Sequence, residues 1–516
     1  MNRLDPHSYA DGAQPRTKSF DLRARVDFAS KILHGAITLH FTAPAPGGAL
    51  DLDTRDLTID AVRGTDGAAL AFTLHAAEPI LGSRLAIAVP AGATSIQIDY
   101  RTSPDASALQ WLDPEQTLGG ARPYLFSQCQ AIHARSVVPC QDTPAIRQTF
   151  TATLDVPADL RAVMAAAPLG REVRGDRAFE RFAMPQPIPP YLVAFAVGDL
   201  ASKDLSPRCR VWAEPAQLDA AAWEFEGVEE QLRAAESLFG PYDWERYDML
   251  VMPPSFPYGG MENPRLTFLT PSLLAGDRSL VSVVAHELAH SWTGNLVTNV
   301  NAEHFWLNEG FTVFAERRIL EATEGAEMAA LHAAIGFEKL QQAFAQLAEH
   351  PELTKLRTQL AGVDPDEAYS QVPYEKGCLF LKTLEQAAGR EAFDDLLATW
   401  LHAHRFGSAT TDDFLALVEA KIPGLLAKVD AKAWIDGPGL PASSWRPESA
   451  RLTAIQGLVG RVPSAEQAHG WSATEWQLYL EAMPKPSPVA QCEALDRAFG
   501  LTKSEPGFRL RRGDSS

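Results

Sequence analysis

The spacing of hydrophobic residues changes once along the chain, close to residue 200. Before that point, short segments alternate apolar and polar residues or run apolar throughout, and Gly, Pro and Asp separate them. A period of two is typical of strands that bury one face of a sheet. Examples are FDLRARVDF, GAITLHFTA, TSIQIDYRT and PYLVAFAVGDL. We predict one large antiparallel β domain over residues 1–200.

From about residue 220 the apolar residues recur at helical spacing. The segment AAWEFEGVEEQLRAAESLFG indicates one amphipathic helix that ends at Gly240, because glycine is common just after a helix. Extended pieces such as YDMLVMP and RLTFLT lie between the helical segments. We predict a mixed, helix-rich domain over residues 201–436. Its further helices are predicted near residues 278–293, 308–323, 326–350, 374–388 and 411–421.

A Pro-, Gly- and Ser-rich stretch, DGPGLPASSWRP, interrupts the helical pattern and indicates a linker over residues 437–448. Residues 449–516 are predicted to be helical again. Thr474 and Gln477 have the spacing of a capping box before WQLYLEAM, and Gly500 is placed to end the next helix. The chain of 516 residues is too long for one core, which agrees with several domains.

The composition and net charge of the chain limit the kinds of molecule that it is expected to bind. Hydrophobic residues make up 46% and charged residues 22% of the chain, as in ordinary globular proteins. The net charge is −19, whereas nucleic acids and anionic membranes bind basic surfaces. No run of 18 apolar residues occurs. We therefore predict no nucleic-acid or membrane partner, and we take a monomer as the default because nothing in the sequence reports the oligomeric state.

The cysteines indicate the compartment. There are five, an odd number, and none forms a CxxC pair. This usage favours free thiols in a reducing compartment over a disulfide framework. The first twenty residues contain no apolar segment of the kind found in signal peptides. We expect a cytoplasmic location.

The sequence HELAH places His286 and His290 four residues apart within an apolar segment. On a helix, residues at i and i+4 share a face, so both imidazoles can reach one ion at about 2.0–2.1 Å. Glu287 lies one residue round the helix and can address a water on that ion as general base. The alternative is a helix with two unrelated histidines, and the apolar surroundings count against it because buried unpaired polar groups are costly.

Glu309 supplies the third candidate ligand. Eighteen residues separate it from His290, a length that allows a second helix to return across the first. Two histidines and one glutamate leave a fourth zinc position open for water, as in catalytic sites. Glu316 lies two helical turns further on, and it either accepts a proton from a ligand histidine or pairs with Arg317 or Arg318 on the surface. We predict one Zn²⁺ per chain in a metallohydrolase, with endopeptidase and exopeptidase activity both open.

The segment PYGGMENPRLTF precedes the histidine helix. Together with the metal pattern it resembles the G-x-M-E-N motif of the aminopeptidase N-like gluzincins, a family of zinc aminopeptidases. SQCQAIHARSVVPCQDTPA and DPDEAYSQVPYEKG resemble the subfamily that contains leukotriene A(4) hydrolase and bacterial aminopeptidases. The resemblance extends from about residue 15 to about residue 510. It implies an N-terminal β domain, a thermolysin-like catalytic domain and a C-terminal helical solenoid.

The resemblance also implies how a peptide is held. Glu262, helped by Gln130, is expected to bind the free α-ammonium group, so that substrates enter by their N-terminus. Gly259 and Gly260, next to Met261, are expected to let the peptide backbone run alongside as an added strand. A peptide without a free amine would leave the Glu262 carboxylate buried and unpaired.

Aromatic residues are expected to complete the site. Tyr374 matches the tyrosine whose hydroxyl stabilises the oxyanion, a kind of donor worth about 10²–10³ in rate. Tyr369 is expected to line the site beside it, and Tyr258 matches a position in the pocket for the first side chain. Phe305 is a candidate for the same pocket from its position alone, with a place in the core as the alternative.

Asp366 matches the residue that directs water in epoxide opening by vertebrate relatives, and its other role is polar lining of the peptide channel. The family's C-terminal solenoid is longer than this one, and the arginine–lysine pair that binds a substrate carboxylate there has no counterpart here. We therefore expect a truncated C-terminal domain. The main hypothesis is a zinc aminopeptidase acting on short peptides. The alternatives are an epoxide hydrolase at the same site and a weakly active, truncated peptide-binding protein.

Overall fold

This computed structural model describes residues 3–280, 282–442 and 444–502. The strands of the first two hundred residues form three β-sheets. The strands are β1 (Thr17–Asp27), β2 (Ile32–Phe41), β3 (Gly48–Thr54), β4 (Thr58–Gly64), β5 (Phe72–Leu74), β6 (Ser83–Val89), β7 (Ser95–Arg101), β8 (Leu109–Leu112), β9 (Tyr124–Ser127), β10 (Gln148–Pro157), β11 (Arg161–Met164), β12 (Ala167–Arg174), β13 (Arg177–Ile188) and β14 (Phe195–Gly198).

The largest of these sheets has the strand order β12-β13-β10-β1-β2-β7-β4, and the smaller ones are β11-β14-β9-β8 and β3-β6-β5. The predicted alternation is clear in β1, where Phe20, Leu22 and Ala24 are buried while Asp21 and Arg23 are exposed. The inward residues of the three sheets form one continuous core, which is why the period of two predicted these strands.

One strand pair differs from the predicted antiparallel sheet. β1 and β10 run parallel, with Phe20 opposite Phe150. Antiparallel neighbours can be joined by a short hairpin, whereas parallel neighbours need a long crossover. The chain between β1 and β10 contains β2 to β9, and it returns to the edge of β1 in the same direction. Periodicity within a strand carries no information about this choice.

The second domain packs helices around a five-stranded sheet with the order β15-β16-β17-β19-β18. Its strands are β15 (Ala201–Asp204), β16 (Cys209–Ala213), β17 (Tyr247–Val251), β18 (Gly260–Met261) and β19 (Leu266–Leu269), and a separate two-stranded ribbon joins β20 (Val297–Asn299) to β21 (Gly407–Ala409). β16, β17 and β19 are parallel, and β18 is antiparallel at the sheet edge. The GGMEN segment is therefore an edge strand, with one side free for another backbone.

Each predicted helical segment contains a helix, and further helices at 390–403, 425–428 and 431–436 were not predicted. The helices are α1 (Leu218–Glu224), α2 (Val228–Phe239), α3 (Ser282–Ala289), α4 (Trp306–Glu324), α5 (Ala326–Gln346), α6 (Gly377–Ala388), α7 (Arg390–Ala403), α8 (Thr411–Lys421), α9 (Leu425–Lys428), α10 (Ala431–Asp436), α11 (Ala450–Gln456), α12 (Ala473–Glu481) and α13 (Val489–Phe499). The single helix predicted before Gly240 is two helices, because Gly227 caps the start of the second one. Gly240 ends that second helix with φ of 95°, in the region that favours glycine.

The last three helices build a small core of their own around Trp476, Tyr479 and Leu495. α11 also contacts α5, where Leu452 packs on Leu331. The predicted capping box is wrong by two residues: Ser472 and Glu475 form it, because α12 begins at Ala473. Gly500 ends α13 in the left-handed conformation, as predicted. Among the described residues, no helix has both the length and the apolar character needed to cross a membrane.

Candidate metal centre and peptide site

α3 and α4 bring the two histidines and Glu309 together. The Nε2 atom of His286 lies 3.4 Å from Oε2 of Glu309, and Nε2 of His290 lies 3.5 Å from the same oxygen. α3 ends at Ala289, so His290 belongs to the turn that follows rather than to the helix. Its backbone N–H still donates to the His286 carbonyl at 3.3 Å, and this bond keeps both imidazoles on one side, as helical spacing predicted.

The three side chains suit a metal ion with nitrogen and oxygen ligands. Oε2 of Glu309 is buried and has no hydrogen-bond partner, although it faces both Nε2 atoms. Such an orphaned buried carboxylate oxygen would be costly unless a cation satisfied it. Two imidazole nitrogens and one carboxylate oxygen form the ligand set of catalytic zinc. Burial raises the pKa of Glu309, but the facing histidines outweigh it and lower the pKa to about 2.

Each histidine is held by its other ring nitrogen. Nδ1 of His286 lies 3.0 Å from Oε2 of Glu316. Nδ1 of His290 donates to the Thr293 carbonyl at 3.1 Å and lies 3.1 Å from Oγ1 of Thr312. These partners leave both Nε2 atoms pointing at Glu309.

Glu316 contacts His286, which is one of the two alternatives considered for this residue. Arg317 and Arg318 pair elsewhere, with Glu375 and Glu385. Thr312 was not among the predicted site residues. Its place three residues after Glu309, on the same face of α4, is the signal that could have found it.

Glu287 lies under the GGMEN strand. It is buried, and burial raises its pKa to about 7 against the lowering effect of His286 and His290. A Cβ atom on Gly260 would lie 2.3 Å from Oε1 of Glu287. A side chain at residue 260 therefore requires this carboxylate or the strand to move. Gly259 has more room, because a Cβ atom there would lie 3.8 Å from Cγ1 of Val283.

Glu262 follows Met261 in β18 and turns its carboxylate towards Gln130. The distance between Nε2 of Gln130 and Oε1 of Glu262 is 3.3 Å. Burial raises the pKa of Glu262, and Glu309 adds to this effect while His290 opposes it. Asn295, which the sequence did not single out, donates from Nδ2 to the Glu262 carbonyl at 2.7 Å and fixes the strand end.

Two of the predicted tyrosines lie beside His286 and Phe305. The ring of Tyr374 stacks on His286, with ring centroids 6.3 Å apart and planes 20° apart. Tyr369 contacts Phe305 edge to face at 5.2 Å, and Phe305 also contacts Tyr374 at 6.1 Å. Burial raises the pKa of Tyr374 well above its ordinary value, and the Glu309 charge adds to this. Phe305 is half-buried and lines the cavity together with Tyr369, rather than lying in the core.

Asp366 and Tyr258 lie at the more open end of the site. Oδ2 of Asp366 lies 2.6 Å from Nε2 of His133, and the Ala131 N–H donates to Oδ1 at 3.4 Å. The Asp366 side chain is 39% exposed and Tyr258 is 47% exposed. Burial raises the pKa of Asp366, but the contact with His133 lowers it overall. His133 was missed, although it lies three residues after Gln130 in the same quoted segment.

A narrow cavity leads away from the site between the two larger domains. Gln130 and Tyr369 line its site end, and Leu353, Leu356 and Leu360 line its apolar part. His7 closes one wall, with Nε2 donating to the carbonyls of Leu360 and Val363 at 2.9 Å each. The start of the chain therefore contributes to this cavity, which the strand and helix patterns did not predict.

The fold and the ligand set define a zinc metallopeptidase of the thermolysin-like kind. Residues 223–434 match the Peptidase family M1 domain, and residues 16–192 match the Peptidase M1 N-terminal domain. The chain belongs to peptidase family M1. The predicted family, the three-part architecture and the assignment as a hydrolase are therefore confirmed.

Known relatives cover most of the chain. Leukotriene A-4 hydrolase of Xenopus laevis is 43% identical across 98% of this chain and 88% of its own length. Leucine aminopeptidase 2 of Neurospora crassa is 36% identical across 97% of this chain and 79% of its own length. The structure of yeast LTA4 hydrolase in complex with bestatin superimposes with a TM-score of 0.90 at 34% identity, covering 97% of this chain and 85% of that chain.

Proposed function

We propose that this protein is a zinc aminopeptidase that releases N-terminal residues from short peptides, with one Zn²⁺ per chain held by His286, His290 and Glu309. The observation that carries the proposal is the unpartnered Glu309 oxygen, which lies 3.4 and 3.5 Å from the two Nε2 atoms. The names of the relatives, leucine aminopeptidase and leukotriene A-4 hydrolase, agree with a hydrolase of this class.

The amine end of the substrate is proposed to bind at Glu262 and Gln130. The carboxylate of Glu262 is buried and Gln130 contacts it at 3.3 Å. A positively charged α-ammonium would neutralise this carboxylate, whereas an internal peptide segment would leave it unpaired. The free edge of β18 is proposed to pair with the peptide backbone, and the glycines of the GGMEN segment keep side chains out of its path.

The chemistry is divided among a few side chains. Zinc, when bound, supplies Lewis-acid polarisation and a water of lowered pKa. Glu287 is proposed to take the proton of the attacking water and to deliver it to the leaving amine. Tyr374 is proposed to donate its hydroxyl to the oxyanion that develops on the scissile carbonyl. Glu316 and Thr293 orient the two histidines through their Nδ1 atoms.

The proposal is tested with aminoacyl chromogenic substrates and zinc-loaded protein. The wild type is expected to hydrolyse them, and Glu287→Gln, which keeps the size of the side chain, is expected to lose about 10³-fold or more in kcat. Equal rates for the two proteins would refute the assignment of Glu287. An N-acetylated substrate is expected to be a poor one, and efficient cleavage of it would refute the role of Glu262.

A second candidate activity is epoxide hydrolysis at the same zinc, as the name of the Xenopus laevis relative suggests for that protein. Asp366 favours it, because its carboxylate is partly exposed beside the site and is held by His133. Asp366→Asn is expected to abolish diol formation and to spare peptide hydrolysis if both activities exist. Unchanged diol formation in this variant would remove Asp366 from that reaction.

We also propose a cytoplasmic, monomeric protein with domains at 1–200, 201–436 and 449–516. Supporting the location, the five cysteines are free thiols. Supporting the boundaries, the catalytic helices and the last three helices have cores of their own, whereas the N-terminal sheets share a core with Leu250, Leu266 and Phe268 of the catalytic sheet. Sedimentation of the purified chain and limited proteolysis near residues 437–448 are the measurements that check these assignments.

A further inference from the structure

A buried ion pair joins α4 to the turn that carries Tyr374. Nη2 of Arg317 donates to both carboxylate oxygens of Glu375, at 2.7 Å each. The two side chains are 13% and 9% exposed. Glu375 is the residue directly after Tyr374, and both belong to a π-helical turn, Val372–Lys376, that leads into α6. Because one nitrogen contacts both oxygens, the ion pair limits the direction of the Glu375 carboxylate as well as the distance of this turn from α4.

The same helix also carries one of the candidate metal ligands. Glu309 and Glu316 lie on α4, and Glu316 contacts His286 at 3.0 Å. Arg317 directly follows Glu316. One helical turn of α4 therefore contacts a ligand histidine through one residue and the tyrosine-bearing turn through the next.

Close backbone contacts leave little room between these elements. A Cβ atom on Gly310, next to Glu309, would lie 2.8 Å from the Gly377 Cα atom. A Cβ atom on Gly336 of α5 would lie 2.2 Å from Oε1 of Glu375 and 2.3 Å from Nη2 of Arg317. Arg317 also contacts the sulfur of Cys378 through Nη1 at 3.1 Å. The ion pair is thus packed on by α5 and α6 as well.

We infer that Arg317 and Glu375 are positioning residues, which hold the Tyr374 hydroxyl against the metal side of the site. The inference rests on the proposed aminopeptidase function. A hydrogen bond weakens steeply with misalignment, and a shift of about 1 Å in a catalytic group can cost about 10²-fold in rate. The ring of Tyr374 also contacts His286 and Phe305, and its hydroxyl contacts Glu309. The ion pair adds to these contacts by fixing the turn that carries the tyrosine.

If the pair only stabilised the fold, replacing both partners by apolar side chains would leave kcat unchanged. A buried ion pair is often replaceable by apolar side chains of similar size without loss of stability, whereas removal of one partner leaves a buried charge. The informative variant is therefore the double substitution Arg317→Met with Glu375→Leu. It removes both charges and the directional contact together.

The experiment measures kcat, KM and zinc content for this double variant in two backgrounds. In the wild-type background we expect kcat to fall about 10- to 100-fold, with KM changed less than about threefold and zinc retained. In a Tyr374→Phe background we expect less than about a twofold further loss, because the hydroxyl that the pair positions is already gone. Equal losses in the two backgrounds would overturn the inference.

A matched control lies one residue further along the helix. Arg318 and Glu385 form another buried pair at 3.3 Å, each 5% exposed, and Arg318 also contacts Asp394. This pair lies away from the Tyr374 turn. Arg318→Met with Glu385→Leu is expected to keep kcat within about twofold, and a loss as large as that of the Arg317 pair would overturn the inference.

A conservative variant covers the case in which the double variant does not fold. Arg317→Lys keeps the charge but loses the planar guanidinium, which contacts Glu375 through Nη2 and Cys378 through Nη1. We expect it to lower kcat about 3- to 10-fold with zinc retained. A wild-type kcat for Arg317→Lys would overturn the inference. The proposed function fails separately: it is refuted when the wild type and Glu287→Gln have equal activity, whatever the Arg317 variants do.

Discussion

The metal-site region and the C-terminal helices bury different kinds of side chain. Around α3 and α4 the core contains carboxylates, imidazoles and guanidinium groups, among them Glu287, His290 and Glu309. The core of the last three helices is built mostly from apolar and aromatic side chains around Trp476 and Tyr479. A charge taken out of water needs a partner or an ion, whereas apolar burial is favourable by itself. The first region is therefore expected to depend on its metal and the second on packing.

The largest expected effect comes from removing a metal ligand. Glu309→Gln replaces the orphaned carboxylate oxygen by a neutral amide, so zinc is expected to bind poorly and kcat/KM to fall by at least about 10³-fold. Metal analysis and peptide hydrolysis measure the two effects. Retained zinc with full activity would contradict the ligand assignment. Chelation of zinc from the wild type is expected to lower Tm, because zinc binding no longer stabilises the folded state. Fluorescence from the C-terminal tryptophans is expected to change little.

The next effect comes from the edge strand. In Gly260→Ala the added methyl group would lie 2.3 Å from the Glu287 carboxylate, so the side chain or the strand must move. We expect kcat to fall about 10- to 100-fold, because a shifted base no longer meets its water. Gly259→Ala is the comparison for kcat, since among the described residues its Cβ would contact Val283 at 3.8 Å and not the Glu287 carboxylate. Its added methyl group is expected to raise KM by crowding the peptide rather than to lower kcat. Similar losses in the two variants would argue against a special closeness at residue 260.

Lys376 is buried and, within the part of the chain that the structure describes, contacts carbonyl oxygens rather than a carboxylate, which gives a pH effect on stability. Nζ of Lys376 donates to the carbonyls of Thr354 and Gly437 at 2.8 Å each. Burial, with Lys355 adding to it, lowers the pKa of Lys376 from 10.5 to about 7. Between pH 7 and 10.5 the unfolded chain therefore binds this proton and the folded chain releases it. The stability of the wild type relative to Lys376→Met is expected to rise with pH in this window, by up to about 1.4 kcal/mol per pH unit.

The measurement for Lys376 is urea unfolding of both proteins at pH 7, 8 and 9. The difference between the two unfolding free energies removes the contributions of all other groups. A difference that stays constant with pH would show that Lys376 keeps an ordinary pKa in the folded protein.

The smallest effect on activity is expected in the C-terminal helices. Trp476 packs on Trp471 and Phe499, with ring centroids 4.9 and 4.8 Å apart. Trp476→Ala is expected to cost about 3–5 kcal/mol of local stability through the cavity it leaves. Hydrogen exchange in α12 and α13 would measure this, and kcat for short peptides is expected to stay within about twofold. A large loss of kcat would show that the two regions are coupled more tightly than their separate cores indicate.

The sequence predicted the fold well where the signal was local. The alternation in β1 and the helical spacing of α4, α5 and α8 identified these elements and their buried faces. The parallel pairing of β1 with β10 was not predictable, because the pattern within a strand is the same for either direction. The break at Gly227 was missed, since one glycine inside an amphipathic pattern is compatible with a continuous helix.

The candidate site was also predicted best where its residues are close together in the sequence. Residues within one motif were found together because their relative places follow from local geometry, as with His286 and His290. Partners from distant segments needed a resemblance to known proteins or were missed. Gln130 and Glu262 are 132 residues apart and were paired through the resemblance, whereas the contact between His133 and Asp366 was not anticipated.

By itself, the sequence determined the kind of ligands and their spacing: two imidazoles four residues apart, a carboxylate separated from them by eighteen residues, and a strand without side chains at Gly259 and Gly260. The backbone period fixes such relations wherever the segment lies. Only the tertiary structure decided that Arg317 pairs with Glu375, 58 residues away, and not with Glu316 beside it. Neighbours one residue apart on a helix point in different directions, so packing chooses their partners.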